Sequence, residues 1–425
     1  MKTFCINTLG CKVNQYETQQ IQELLEQFGL HKSEPPKKAD LVVINTCCVT
    51  HTASAKSRQY IRKAQKLSPN AVVVVCGCLP TVQISELNNI SKKVHLIGDR
   101  EQLVDALHKI VNGTTAALQI QSPQSCLNTY TIIKAQNGSK IKFKKELNGH
   151  LELPILTCFN GQTRAFLKVQ DGCDGHCSYC IVPQTRPIVN FKPVQTVIKE
   201  AKSLVKSGHK EIVVTGVYLG AYGQKSVKRK SWSNQQNVNL ANLLDRLAQI
   251  PHLTRIRLSS LEPGDITRQL LDIFCKHPNI MPHLHLSLQS GSNAILKKMR
   301  RQYTTDIFRE KVALAKQHLD RPAITTDIIV GFPGETDDDF EQTVDLAKEI
   351  CFTKMHVFRF SPRKGTPAAV FANTVSDREK EERSLKLLVY LSFQVQVDLM
   401  NKYFVQMVIP YLLVRLYIDQ TYSKK

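Results

Sequence analysis

Two kinds of segment are missing from this sequence of 425 residues. No apolar stretch is long enough to cross a bilayer, which takes about 20 residues; the most apolar late stretch, residues 403–414, is short and carries Gln406 and Pro410. The N-terminus runs from a short apolar strand straight into Cys11, without the apolar core and cleavage site of a signal peptide. We therefore expect a cytoplasmic protein with no membrane partner.

Acidic residues are scarce as well. The chain has 36 Asp and Glu against 57 Lys and Arg, which gives a formal net charge of +21. This excess predicts a polyanionic partner, with nucleic acid as the leading class; the alternative is a basic surface that is only solvated. Residues 140–145 and 225–230 concentrate the positive charge, and either run is equally compatible with a solvated loop.

Internal repeats are absent, which argues against a solenoid. Hydrophobic residues make up 42% of the chain and charged residues 22%, which argues against disorder. The length allows about two or three domains, each with its own core.

Residues 1–115 alternate β-rich runs with amphipathic helical patterns, which predicts an α/β domain with a parallel sheet. The predicted strands lie at residues 2–9, 41–45, 71–76 and 94–98. Residues 116–162 are polar and predict a linker with room for a hairpin.

A second alternating series occupies residues 163–375. Its predicted strands lie at residues 165–169, 211–215, 255–259, 283–288, 323–330 and 354–360. Six βα units predict a partial (β/α)6 barrel, in which functional groups gather at the carboxyl ends of the strands. Residues 376–425 begin with a charged helix, predicted for residues 377–390, and continue as an apolar tail.

The most specific pattern is the cysteine trio Cys173, Cys177 and Cys180. Three thiolates within eight residues can ligate three irons of a 4Fe-4S cluster and leave the fourth iron without a protein ligand. Zinc is the alternative, but zinc sites use four ligands, usually in two pairs, and the first gap here is one residue longer than such pairs have. The trio therefore predicts a cluster with one reactive iron.

A second trio is spread over three loops. Cys11, Cys47 and Cys78 each follow a predicted strand of the N-terminal sheet. Loops at the carboxyl ends of parallel strands open on one side, so the three thiols can converge there. No local spacing supports a metal site, and small buried hydrophobes are the competing interpretation. Cys48 is ambiguous, because one of the neighbours Cys47 and Cys48 is expected to point away.

The other cysteines fit the interpretation as small buried hydrophobes better. They are Cys5, Cys76, Cys126, Cys158, Cys275 and Cys351. Disulfides are not expected, because the cytoplasm is reducing and thirteen cysteines cannot all pair within one chain.

With these residues in view, the chain resembles the radical S-adenosylmethionine methylthiotransferases across about residues 1–375. Residues 8–17, Thr-Leu-Gly-Cys-Lys-Val-Asn-Gln-Tyr-Glu, are most similar to the branch that acts on threonylcarbamoyladenosine in tRNA. Further matching strings lie at residues 45–50, 77–78, 215–223, 257–263, 288–292 and 331–336. Where that family has an RNA-binding TRAM domain, residues 376–425 lack the length and strand pattern, so we expect this domain to be absent or degenerate.

The resemblance implies two 4Fe-4S clusters, one on each trio, with Cys47 as the ligand rather than Cys48. S-adenosylmethionine is expected at the open iron of the Cys173 trio, where its cleavage gives a radical that takes hydrogen from carbon 2 of the adenine. The cluster on the Cys11 trio is expected to supply the sulfur, which a second S-adenosylmethionine methylates. No catalytic residue beyond the cluster ligands is implied.

Four residues near predicted strand ends are candidate contacts for S-adenosylmethionine. Tyr179 is expected against the adenine, and Ser260, Glu262 and Gln289 are expected to make polar contacts. The competing interpretation for each is a local hydrogen bond or a packing role.

The implied product is 2-methylthio-threonylcarbamoyladenosine beside the anticodon. The implied partners are the anticodon stem-loop of tRNA, an electron donor such as flavodoxin or ferredoxin, and a sulfur source. Isopentenyladenosine in tRNA or a ribosomal protein is the alternative substrate within the same chemistry. A noncatalytic, metal-stabilised RNA-binding protein is the alternative of another class; two trios that each leave an iron open argue against it.

Overall fold

The computed structural model describes residues 1–33, 39–83, 87, 94–113, 130–134, 140–144, 153–231 and 239–403. The chain forms two compact units. Unit 1 comprises Met1–Leu261, Thr267–Met281 and Ser361–Val370, and unit 2 comprises Glu262–Ile266, Pro282–Phe360 and Phe371–Lys425. The domain boundaries after residues 115, 162 and 375 stay a prediction.

The N-terminal part of unit 1 contains a five-stranded parallel sheet in the order β2-β1-β3-β4-β5. Its strands are β1 (Thr3–Thr8), β2 (His31–Lys32), β3 (Leu41–Thr46), β4 (Val72–Gly77) and β5 (Val94–Leu96). Its helices are α1 (Lys12–Gln27), α2 (His51–Leu67), α3 (Cys78–Val82) and α4 (Leu103–Val111). The predicted parallel α/β sheet is confirmed.

The central strand β3 is buried on both faces. Leu41 and Val43 pack into a core with α1 and α4 residues such as Leu24, whereas Val42 and Ile44 pack into a second core on the other face. A strand covered on both faces is a continuous apolar run rather than an alternating one, as residues 41–44 are. This double burial holds the carboxyl ends of β1, β3 and β4 side by side.

An antiparallel hairpin, β6 (Tyr130–Lys134) with β7 (Lys140–Lys144), lies within the predicted linker. A four-stranded sheet of order β11-β10-β8-β9 follows in unit 1. Its strands are β8 (Arg164–Asp171), β9 (Asn190–Phe191), β10 (Glu211–Gly216) and β11 (Arg255–Leu258), of which only β9 runs antiparallel to its neighbour. The accompanying helices are α5 (Val182–Thr185), α6 (Val194–Lys206), α7 (Asn239–Ala248) and α8 (Arg268–Lys276).

Unit 2 contains a three-stranded parallel sheet. Its strands are β12 (His283–His285), β13 (Ala323–Val330) and β14 (Lys354–Arg359), and its helices are α9 (Asn293–Lys298), α10 (Thr305–His318), α11 (Asp337–Ile350) and α12 (Asp377–Tyr403). The six parallel strands predicted for residues 163–375 are thus all present, three in each unit. The strand predicted at residues 283–288 ends earlier, at His285, and Gln289 then forms an isolated bridge with Ile328 of β13.

The C-terminal helix was predicted to end at residue 390, and this is wrong, since α12 continues to Tyr403. Its first turns are anchored in unit 2: the Arg383 guanidinium, 7% exposed, donates to Glu335 Oε2 at 2.7 Å and to Asp337 Oδ1 at 2.8 Å. The segment expected in place of a TRAM domain is described only to residue 403. Among the described residues, no helix is both long and apolar enough to span a membrane.

A capping box starts α11. Thr336 Oγ1 accepts the Asp339 N–H at 3.1 Å, and Asp339 Oδ2 accepts the Thr336 N–H at 3.1 Å. The other carboxylate oxygen of Asp339 accepts the Ser292 hydroxyl at 2.5 Å, which joins this cap to the start of α9. The cap therefore stabilises two helix starts in unit 2.

We expect Thr336→Ala to lower the free energy of unfolding by about 1 kcal/mol, because the N–H of Asp339 loses its partner. Urea denaturation followed by circular dichroism measures this change. The matched control is Thr374→Ala, an exposed threonine outside any helix, which should leave the midpoint unchanged. Equal midpoints for the two variants would contradict the role of the cap.

Candidate iron–sulfur site

The three loops that carry Cys11, Cys47 and Cys78 lie at neighbouring strand ends. Cys11 is the N-cap residue of α1, directly after β1; Cys47 follows β3; and Cys78 is the first residue of α3, directly after β4. Because β1, β3 and β4 are adjacent in the sheet, the three thiols lie close enough for their charges to interact. The structure thus brings together the trio that no local spacing could identify.

Two glycines permit this convergence. Gly10 has a φ of +111°, and a Cβ atom there would lie 3.2 Å from Cys47 Sγ. Gly77 has a φ of +87°, and a Cβ atom there would lie 2.4 Å from Asn45 Oδ1. Both backbone conformations disfavour any side chain, so glycine is required at the two positions that precede a trio cysteine.

The side chains of Cys47 and Cys48 differ in their surroundings. Cys48 is fully buried in the core that contains Ile44 and Leu79, and its thiol donates to the Cys78 carbonyl at 3.4 Å. Cys47 lies against Gly10, and burial raises its pKa to about 11. The charges of Cys11 and Cys78 both act on Cys47, whereas Cys48 hydrogen-bonds Cys78, and the preference for Cys47 as a ligand stays a prediction.

Positive charge surrounds this trio. A hydrogen bond with Cys48 and the charges of Arg186 and Arg100 lower the pKa of Cys78 to about 5, against the effect of burial. Arg100 Nη2 lies 3.4 Å from Cys78 Sγ. Thiolate is the form that binds metal, and these contacts favour it at Cys78.

Arg363 is a further buried cation near Cys47 and Cys48. It is 5% exposed, its Nη2 donates to Ser54 Oγ at 2.9 Å, and its charge acts on both cysteines. Within the described residues, the Nε atoms of Arg100 and Arg363 are buried without a hydrogen-bond partner. Buried cationic donors near the cysteines fit an anionic metal–sulfur group.

The trio Cys173, Cys177 and Cys180 lies in the loop after β8, and all three residues are half-buried. The N–H of Gly175 donates to Cys173 Sγ at 3.4 Å, and a Cβ atom on Gly175 would lie 3.1 Å from that sulfur. Asp174 holds the loop by accepting the Val227 N–H at 2.8 Å. A side chain at residue 175 would therefore crowd the Cys173 sulfur, which explains the glycine there.

The spacing of the thiols argues against a single zinc ion. Among the described residues, neither cysteine trio has its three sulfurs within 4.8 Å of one another, the spacing of ligands around one ion. In a 4Fe-4S cluster each cysteine binds a different iron, so its sulfurs stand further apart. Both trios fit a cluster better than zinc.

Arg186 joins the two trios. Its carbonyl accepts the N–H of Cys173 at 2.8 Å, and its buried guanidinium donates to both carboxylate oxygens of Glu17 at 2.7 Å. It also donates to Asp171 Oδ1 at 2.7 Å. Glu17 lies on α1, which starts after Cys11, and Asp171 ends β8, just before Cys173.

The network around Arg186 contains further cations. Lys168 Nζ lies 3.0 Å from Glu17 Oε1 and 2.8 Å from Asp171 Oδ2. Burial would raise the pKa of Glu17, but the charges of Arg186, Lys168 and Arg100 lower it to about 2. The carboxylates therefore stay ionised and hold the arginine in place.

Sequence reasoning missed most of this network. Arg100, Glu17 and Asp171 come from three separate stretches of chain, and no local pattern connects them. Glu17 did stand within the N-terminal string that carries the family resemblance, which was the one available signal.

The four candidate contacts for S-adenosylmethionine divide between the units. Tyr179, half-buried, and Ser260, exposed, belong to unit 1; Glu262 and Gln289 belong to unit 2. The Glu262 carboxylate forms an ion pair with Arg301, and its backbone N–H donates to Asp265 at 2.8 Å. These contacts match the competing interpretation of Glu262, and its role as a contact for S-adenosylmethionine stays a prediction.

Gln289 is buried and has a φ of +66°, a left-handed conformation that is uncommon outside glycine. Its N–H donates to the Asp327 carbonyl at 2.8 Å, and its carbonyl accepts the Ile329 N–H at 2.9 Å. The sheet therefore imposes the strained backbone, a feature that concentrates at functional sites.

The remaining cysteines match the predicted burial only in part. Cys5 and Cys76 are buried and Cys158 is half-buried, whereas Cys275 and Cys351 are exposed, so the prediction is wrong for these two. Both exposed residues lie on or directly after helices α8 and α11, where the outer face is in water. Cys126 lies outside the described residues.

Family models match two stretches of the chain. The model described as "Uncharacterized protein family UPF0004" matches residues 3–98, and that of the Radical SAM superfamily matches residues 167–347. The radical S-adenosylmethionine methyltransferase TsrM from Kitasatospora setae, solved with cobalamin and a [4Fe-4S] cluster, has a similar fold, with a TM-score of 0.59 at 15% identity over 87% of this chain and 77% of that one. Together with the cysteine trio after β8, these matches define a radical S-adenosylmethionine enzyme.

Similar proteins identify the family within this class of enzymes. The chain is 36% identical over 95% of its length, and over 83% of the other chain, to the threonylcarbamoyladenosine tRNA methylthiotransferase MtaB of Bacillus subtilis. It is 34% identical over 90% of its length, and over 80% of the other chain, to the protein of that name in Thermotoga maritima. The chain belongs to the family of radical S-adenosylmethionine tRNA methylthiotransferases. The cofactors of that family are S-adenosylmethionine and two 4Fe-4S clusters.

We expect Arg186→Met to lower the free energy of unfolding of the reconstituted protein by about 3–5 kcal/mol, because Glu17 and Asp171 lose their buried counterion. Arg164→Met is the matched control; its side chain is 55% exposed, so it should cost less than about 1 kcal/mol. Chemical denaturation followed by circular dichroism compares the two. A cost for Arg186→Met no larger than that of the control would contradict the structural role of the network.

Proposed function

We propose that this protein adds a methylthio group to carbon 2 of threonylcarbamoyladenosine in tRNA, giving 2-methylthio-threonylcarbamoyladenosine next to the anticodon. The observation that carries the proposal is the presence of two cysteine trios in one unit, joined by Arg186. One trio alone would support radical chemistry without a sulfur donor. The second trio supplies a second metal–sulfur group beside it.

The ligands follow from the two trios. We assign Cys173, Cys177 and Cys180 to the cluster that binds S-adenosylmethionine, and Cys11, Cys47 and Cys78 to the auxiliary cluster. When bound, these groups supply the radical and the sulfur. The chain has no need of a general base, because carbon 2 of adenine carries no acidic proton.

The other residues of the site position these ligands. Arg100 and Arg363 neutralise charge on the auxiliary side, and Arg186 ties α1 to the loop of the Cys173 trio. We propose Tyr179, Ser260 and Gln289 as contacts for S-adenosylmethionine. We also propose Glu262 as a contact; its carboxylate forms an ion pair with Arg301.

The basic composition supports tRNA as the partner. A formal net charge of +21 favours binding to a phosphate backbone, and such binding weakens as the salt concentration rises. An electron donor such as flavodoxin or ferredoxin and a sulfur source complete the proposed partners. We also propose the cytoplasm as the compartment, since tRNA and a reducing medium for the thiols are both found there.

A second substrate has its own support. This chain is 34% identical, over 90% of its length and 82% of the other chain, to the tRNA-2-methylthio-N(6)-dimethylallyladenosine synthase of Rickettsia conorii. The isopentenyl group of that substrate is apolar, whereas the threonylcarbamoyl group carries a carboxylate. The string at residues 8–17 favours threonylcarbamoyladenosine as the substrate.

We expect about eight irons per chain after anaerobic reconstitution, and about four after Cys11, Cys47 and Cys78 are all replaced by alanine, because one of two four-iron clusters is lost. Iron and sulfide analysis measures both. Cys48→Ala is the matched control and should retain eight irons. If Cys48→Ala lost four irons and Cys47→Ala lost none, the choice between these neighbours would be wrong.

We expect deletion of the gene to abolish 2-methylthio-threonylcarbamoyladenosine in total tRNA and to leave its unmethylthiolated precursor in place. Mass spectrometry of tRNA nucleosides measures both. Complementation with the intact sequence should restore the product, and complementation with Cys177→Ala should not. If the methylthio form of isopentenyladenosine were lost instead, isopentenyladenosine would be favoured as the substrate.

A further inference from the structure

Three side chains with metal-binding atoms share one face of the sheet in unit 2. His285 lies on β12, Asp327 on β13 and His356 on β14. In the strand register His285 pairs with Thr325, and Asp327 pairs with His356. Because side chains two residues apart on a strand point to the same face, the three side chains converge.

The distances suit the ligands of one ion. His285 Nε2 lies 3.2 Å from Asp327 Oδ2, and one ligand atom from each of the three residues lies within 4.8 Å of the others. Ligands that each stand about 2.0–2.2 Å from a metal lie at separations of this order. Among the described residues, this is the one group of histidine, cysteine or carboxylate side chains with such spacing.

A neighbouring hydroxyl orients the first imidazole. His285 Nδ1 lies 2.9 Å from Thr325 Oγ1. When the ring donates its Nδ1 proton to this hydroxyl, the Nε2 lone pair faces Asp327, where a cation between the two is favourable. Metal-bound histidines characteristically have such a partner on the other ring nitrogen.

The group contains a second imidazole beside the pair of His285 and Asp327. The second imidazole, His356, has its ring centre 5.8 Å from that of His285 and is exposed. The side chains of His285 and Asp327 are 13% and 27% exposed, so an ion can reach the group from water.

We propose that His285, Asp327 and His356 bind a divalent transition-metal ion. Two imidazole nitrogens and one carboxylate oxygen suit zinc or iron(II), whereas magnesium and calcium prefer oxygen ligands alone. Three protein ligands leave coordination positions open for water or for an oxygen or nitrogen of a bound molecule. The site lies in unit 2, and all six cluster cysteines lie in unit 1.

Zinc binding to the reconstituted holoprotein tests the proposal, because the clusters then occupy the cysteines. Equilibrium dialysis against Zn²⁺ with elemental analysis should give one zinc per chain above the cluster iron. His356→Ala should abolish this zinc with the iron content unchanged. Thr325→Val should weaken zinc binding about 10–100-fold, the usual effect of losing an outer-shell partner.

His318→Ala is the matched control, since His318 lies in the same unit on α10 and away from the three ligands in the sequence; it should bind zinc as the intact protein does. Asp327→Asn, with circular dichroism to check folding, gives an independent second variant with the same expected loss. Holoprotein that binds no zinc would overturn the proposal, as would equal zinc in His356→Ala and the intact protein. The iron count separates either outcome from a failure of the proposed function.

Discussion

The buried guanidinium of Arg186 is the contact on which both cysteine trios depend. The backbone carbonyl of Arg186 accepts the N–H of Cys173, and the Arg186 side chain donates to Glu17 on the helix that starts after Cys11. Removing these charges from water is costly, and the cost is met only because Glu17, Asp171 and Lys168 balance one another at hydrogen-bond distance. A second polar contact also involves α1: Lys192 Nζ contacts both Tyr16 of α1 and Glu200 of α6.

This rigid junction explains how one unit can support two reactive metal–sulfur groups. Radical transfer and sulfur transfer must reach the same carbon atom, so the distance between the two groups cannot drift. Hydrogen-bonded ion pairs with planar, two-pronged geometry define distance and angle together, which a hydrophobic contact does not. The charges of Arg186 and Arg100 lower the pKa of Cys78 and so favour its thiolate.

The fold and one half of the site could be predicted from the sequence. Cys173, Cys177 and Cys180 are local in the chain, so their spacing alone indicates a cluster. Cys47 could be preferred over Cys48 only through a family resemblance. The partner of Glu262 could not be predicted, because Arg301 is 39 residues away along the chain and only folding brings the two together.

The sequence by itself determined the alternation of strands and helices, since periodicity reports burial between near neighbours, and it determined the Cys173 trio. Only the tertiary structure decided which side chains meet across strands. The order β1-β3-β4 brings Cys11, Cys47 and Cys78 together, and the register of β12, β13 and β14 brings His285 and Asp327 together. Strand order and register are set by packing over the whole unit, which no short stretch of sequence records.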